Sequence, residues 1–178
     1  MRGRAWLPTP VAAMLALAAA GCPYRTGAPP AGRYRSIGVP MFRNETRVPD
    51  LEHEVTRAVA ELFRAESGLE VMDVGTHDPD LVLLGRVAGY ERRVRRTDRL
   101  DRAVELRVEI RARVTLRADD GREILKDLVV RNTETDPESG VWFLDLGEDE
   151  LAGRRRAVED LARAVVRAAL DWGWAGEE

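Results

Sequence analysis

The stretch Val104–Ala118, V-E-L-R-V-E-I-R-A-R-V-T-L-R-A, constrains this chain more than any other. Val104, Leu106, Val108, Ile110, Ala112, Val114, Leu116 and Ala118 share one parity, and Glu105, Arg107, Glu109, Arg111, Arg113, Thr115 and Arg117 share the other. Side chains of a strand point alternately to opposite faces, so the pattern describes one strand with an apolar wall and a charged wall. At ~3.3 Å per residue it extends roughly 50 Å. A slip of one residue would turn every arginine into the core, which fixes the register. A sheet that is apolar on one face needs a cover, and two other segments supply it.

Leu51, Val55, Ala58, Val59, Leu62 and Phe63 recur at helical spacing after Asp50, which reads as the N-cap, and Gly68 reads as the residue that ends this helix. A second helix is expected from Glu150 to about Trp172, with Leu151, Val158, Leu161, Ala162, Val165, Val166, Ala169 and Leu170 on its apolar stripe. Strands are expected at Ser36–Phe42, ending early at Pro40, at Leu69–Val74, at Leu81 to about Val94, and at Glu123–Arg131 after the Asp120-Gly121 hairpin signal. Arg43–Thr46 and Arg92–Arg99 read as turns. Val141-Trp142-Phe143-Leu144 interrupts a polar connection, either as a loop tucked under the sheet or as an apolar patch offered to a partner, with Trp142 and Phe143 as its contacts. The expected fold is α+β, ordered β-α-β-β-β-β-α: a two-layer α/β sandwich with two helices on one face of a mostly antiparallel or mixed sheet of about four to five strands.

The N-terminus belongs to a different kind of argument. Arg2 and Arg4 precede a small-residue apolar run, Val11–Ala20, too short to span a bilayer of ~30 Å, and Ala19-Ala20-Gly21-Cys22 resembles a bacterial lipobox. Cys22 is the only cysteine, so no disulfide can account for it, and a covalent lipid on a mature Cys22 does. The expected organisation is a signal peptide 1–21, a lipidated N-terminus and tether 22–34, one domain 35–174 and a polar tail 175–178. The formal net charge of −3 excludes a general nucleic-acid binder. His53 and His77 are the only histidines and show no metal or triad spacing in the sequence; there is no glycine-rich phosphate loop. No enzyme, metal or cofactor is therefore expected beyond the acyl groups on Cys22.

Three motifs carry a resemblance to a known family. Gly21-Cys22-Pro23-Tyr24, Ile37-Gly38-Val39-Pro40-Met41-Phe42-Arg43-Asn44-Glu45-Thr46 and Asp80-Leu81-Val82-Leu83-Leu84-Gly85-Arg86-Val87 resemble the lipoprotein start, the I-x-V-P-x-F-x-N-x-T strand and the A-D-x-V-L-x-G-x-I strand of the LptE lipopolysaccharide-assembly lipoproteins. Pro23 and Pro79 depart from that pattern, standing where the family has Gly and Ala. The resemblance implies an outer-membrane protein, anchored on the periplasmic side, that plugs the LptD β-barrel and assists lipopolysaccharide delivery to the surface. Its expected lipopolysaccharide contacts are Arg92, Arg93, Arg95 and Arg96 in the expected turn and Arg107, Arg111, Arg113 and Arg117 on the charged wall, because guanidinium forks suit phosphates and sugar carboxylates. Activators of peptidoglycan synthases and curli-type secretion lipoproteins, which open with a similar strand and helix, are the alternative.

Overall fold

A computed structural model describes residues 34–175, with side chains through Asp171. The signal segment 1–21, Cys22 and the tether up to residue 33 lie outside the described residues, as do 176–178 of the tail. In chain order the elements are β1 (Ser36–Gly38), β2 (Arg43–Asn44), α1 (Leu51–Glu66), β3 (Glu70–Met72), β4 (Leu81–Thr97), β5 (Ala103–Ala118), β6 (Glu123–Arg131), β7 (Val141–Phe143) and α2 (Glu150–Ala175). The sheet runs β3-β1-β4-β5-β6, with β2 on β4 and β7 on β5. β1 is parallel to both β3 and β4, whereas β4, β5 and β6 are antiparallel, so the sheet is mixed.

The expected centre is the centre. Val108, Ile110, Ala112, Val114, Leu116 and Ala118 are all buried, while Arg113 and Arg117 are exposed and Val104 and Leu106 are half-buried. Leu81, Leu83 and Val87 of β4 stand opposite Ala118, Leu116 and Ala112, extending the apolar wall by one strand. Both helices close over that wall. Leu51, Val55, Val59 and Phe63 of α1 and Leu161, Val165 and Val166 of α2 join one core with it. Area removed from water drives this arrangement, because each of these side chains gains ~1.5–3 kcal/mol on full burial.

Several local expectations change. Pro40 does end β1 early, but Arg43–Asn44 is a short strand rather than a turn, pairing with Arg86 and Val87 of β4. Asp50 does not cap α1 with its side chain: its backbone is left-handed at φ 61, which turns the carboxylate away, and its carbonyl instead accepts from His53 and Glu54 at 3.1 Å each. Gly68 does follow the helix in the left-handed conformation, φ 70, beyond Ser67. Leu151, expected on the apolar stripe of α2, is instead 55% exposed on the rim of the groove between the helices, which Glu54, Arg57 and Arg155 also line. β4 continues to Thr97, so the turn is Asp98–Arg102 and not Arg92–Arg99. The Asp98 side chain builds that turn by accepting from the Leu100 and Arg102 N–H groups at 2.8 and 3.0 Å.

The outer edge of β5 changes partner part-way along. β6 pairs with Arg111–Arg117, and β7 pairs with Glu105–Arg107. Buried Asn132 bridges the gap: its Oδ1 accepts from Ile110 N–H at 2.8 Å and its Nδ2 donates to the Val108 carbonyl at 3.2 Å, while Val108 N–H donates to the Gly140 carbonyl at 3.0 Å. A buried edge would otherwise leave backbone groups without partners.

Candidate partner-binding surface

Because both helices lie on the apolar wall, no described element covers the charged wall of β4 and β5. Antiparallel pairing places its charges in cross-strand rows. Arg86 stands opposite Arg113, Glu91 opposite Glu109, and Arg93 opposite Arg107; beyond a bulge, Arg96 stands opposite Glu105. Like charges directly opposite one another repel. The wall resolves most of this with diagonal ion pairs. Asp127 of β6 bridges Arg86 and Arg113 at 2.6 and 2.7 Å, and Glu91 bridges Arg93 and Arg111 at 2.7 and 2.6 Å. Glu105 receives Arg95 at 3.4 Å and Arg96 at 3.2 Å, and Arg95 also reaches Glu138 at 2.5 Å. Hydrogen bonds from Arg86 hold the Asp127 carboxyl below its usual pKa, and those from Arg93 do the same for Glu91.

Two arginines of the wall, Arg117 and Arg107, pair with no carboxylate among the described residues, and only Arg107 also has a buried Nε without a hydrogen-bond partner. Arg107 lies between Arg93 on β4 and Val141 on β7.

The expected arginines therefore do not form a single bare basic plate. Arg93, Arg107, Arg111, Arg113 and Arg117 share the outer wall with Arg96, and Arg95 reaches the same acid at the bulge. Arg92 is on the opposite side: it pairs across from buried Val108 and binds Glu150, the first residue of α2, at 2.9 Å. Glu150 also accepts from the Tyr90 hydroxyl at 2.8 Å, which with Arg92 lowers its pKa, while burial pushes the Tyr90 hydroxyl well up. Trp142 is not a surface contact. Opposite Leu106 in β7, it is 2% exposed and packs against Gly153, where a side chain would collide with the indole. Phe143, its neighbour, is half-buried on the outer side, opposite Glu105. The exposed apolar groups at this end are instead Val94, Leu100, Leu144 and Leu146, at 54, 74, 47 and 74% exposure.

Asp127, Glu91 and Glu150, which organise the arginines, were not marked by sequence spacing, since Asp127 and Glu150 lie on different elements from the arginines they neutralise and Glu91 joins Arg93 of its own strand to Arg111 of β5. Ligand atoms of Asp50, Glu52 and His53 come within 4.8 Å of one another, closer than the sequence suggested for His53. They are open to solvent or half-buried, and Glu52 accepts from Asn44 Nδ2 at 2.7 Å. No described helix is long and apolar enough to cross a membrane.

A family model described as LptE, lipopolysaccharide-assembly, matches residues 34–169. The chain belongs to the LptE family. Membership assigns this LptE protein a general role as a lipoprotein of lipopolysaccharide assembly in the outer-membrane envelope. Its fold is shared with solved structures of distant sequence. Protein XCC0632 of Xanthomonas campestris is 13% identical, with a TM-score of 0.53 over 83% of this chain and 90% of that one. The hypothetical protein CT253 of Chlamydia trachomatis is 8% identical, with a TM-score of 0.52 over 80% and 99%. Uncharacterized lipoprotein B of Nitrosomonas europaea is 10% identical, with a TM-score of 0.52 over 80% and 86%. No curated protein matches this LptE chain significantly.

Proposed function

We propose that this protein is exported, acylated on Cys22, held on the periplasmic side of the outer membrane, and seated in the lumen of an LptD-type β-barrel, where it assists lipopolysaccharide on its way to the surface. The observation that carries this reading is the two-faced β4–β5 ribbon, roofed by helices on its apolar side and left open on a charged side whose rows are largely paired among themselves. Barrel lumens are polar, and a plug whose charges are largely paired among themselves can occupy one without a large desolvation cost.

Length supports the same reading. Arg35 and Ser36 N–H groups donate to Asp80 at 2.6 and 3.0 Å, so the described chain enters at the Leu81 end of β4, opposite the Asp98–Arg102 turn. At ~3.3 Å per residue the ribbon between these ends is roughly 50 Å long, against a hydrocarbon core of ~30 Å. A lipid at the entry end leaves the turn on the far side of the membrane. There Val94 and Leu100 are exposed beside Arg95, Arg96, Arg99 and Arg102, a pairing of apolar and cationic groups that suits a phosphorylated lipid.

The test is affinity purification of the full-length protein from detergent-solubilised membranes. A large β-barrel should come down with it; recovery of a penicillin-binding protein instead would move the assignment to the synthase activators. Cys22→Ser should release the protein from the membrane fraction, and a variant that stays bound would remove the lipid from the reading.

A further inference from the structure

The outer wall carries a sign pattern that a polyanion does not explain. Along the ribbon the acidic row Glu91/Glu109 lies between Arg111, across from Gly89, and the basic row Arg93/Arg107. Successive same-face rows of a strand are about 6.6 Å apart. A multiply phosphorylated lipid laid on Arg93 and Arg107 would bring its charge within one row of two carboxylates. A protein strand laid along the ribbon has the same repeat, because its own same-face side chains recur at about 6.6 Å. The rows are also unequally satisfied within the chain. Arg111 and Arg93 share Glu91, and Glu109 faces Arg131 at 3.9 Å, but Arg107 has no carboxylate and a buried Nε without an acceptor.

The geometry points to the Arg93/Arg107 row as a docking position for an acidic side chain on a β-strand of the barrel wall, with the neighbouring Glu91/Glu109 row taking a basic side chain two residues away on the same partner strand. This inference rests on the plug reading and specifies the surface that the plug meets. Lipopolysaccharide is left to the turn beyond the bulge, so the two partners use different parts of the ribbon.

The experiment is co-expression of the full-length protein with the tagged LptD barrel of the same organism, comparing wild type, R93Q/R107Q and the control R64Q on the exposed side of α1. Retention of R93Q/R107Q on the barrel should fall by at least about tenfold, and that of R64Q should not. The thermal midpoint of R93Q/R107Q should shift little, because Arg107 has no carboxylate to lose, Glu91 keeps Arg111 when its exposed pair with Arg93 is gone, and the neutral pair relieves repulsion. Binding of purified lipopolysaccharide micelles should also be unchanged. Wild-type retention should weaken as salt is raised, which tests the row even if the double variant folds poorly. Equal retention of wild type and R93Q/R107Q, a salt-insensitive wild-type complex, or loss of micelle binding with barrel retention intact would each overturn the inference while leaving the plug in place. A wild type that the barrel does not retain would overturn both.

Discussion

Trp142 and Leu146 differ by four positions and by almost everything that matters energetically. The indole is 2% exposed in the core, and Leu146, two residues beyond the apolar interruption Val141–Leu144, is 74% exposed. Trp142→Ala should therefore cost about 3–5 kcal/mol of unfolding free energy, and Leu146→Ala should stay within about 0.5 kcal/mol. Urea titration of both variants measures the contrast; a Trp142→Ala protein as stable as wild type would take the indole out of the core. Asn132 makes a comparable case with a polar side chain. Asn132→Ala should cost about 1–3 kcal/mol, because it strands the Ile110 N–H and the Val108 carbonyl where β5 changes partner. Neither role is readable from composition, since both depend on which strand lies beside β5 at that point.

Among the elements, β5 was legible because its alternation survives over its whole length and admits only one register. The end of β4 was not, because Arg92-Arg93-Val94-Arg95-Arg96 lacks the apolar parity that marks a strand, and hydrogen bonding to β5 carries it on regardless. β2 and β7 were missed because segments of two and three residues have too few positions to show a period. The helices were legible in extent, and the side of the sheet they cover followed from the apolar wall. The candidate surface was only half legible: the arginines stood out, but the acids that pair with them come from β4, β6 and α2. Those pairings set a pH response. Glu91, Asp127, Glu148 and Glu150 all have lowered pKa values in the folded chain, chiefly through hydrogen bonds from Arg93, Arg86, Arg156 and Tyr90 respectively. A carboxylate lowered by folding contributes stability that is present above its unfolded pKa and is lost as pH falls through the lowered one. Unfolding free energy should thus be level from pH 7 to about 5 and decline below about 4.5. Urea titrations across that range test the sign, and a rise in stability on acidification would contradict it.

At the scale of the molecule, the proposed function puts anchoring at the entry end and the contact with lipopolysaccharide at the Asp98–Arg102 turn. Reversing Arg95, Arg96, Arg99 and Arg102 to Glu should weaken binding of purified lipopolysaccharide while leaving the circular-dichroism spectrum native; undiminished binding would remove the turn from that contact. The same ribbon also has a kinetic consequence. β4 and β5 are joined by only five residues, whereas β1 must find β4 across α1 and β3. Closing a short loop is entropically cheap and fast, and distant parallel pairings come late. The hairpin is thus the expected folding nucleus, with high φ-values at Val114 and Leu116 and low ones at Ile37 and Val71. A chain assembled in that order settles its central strand register while still joining its edges.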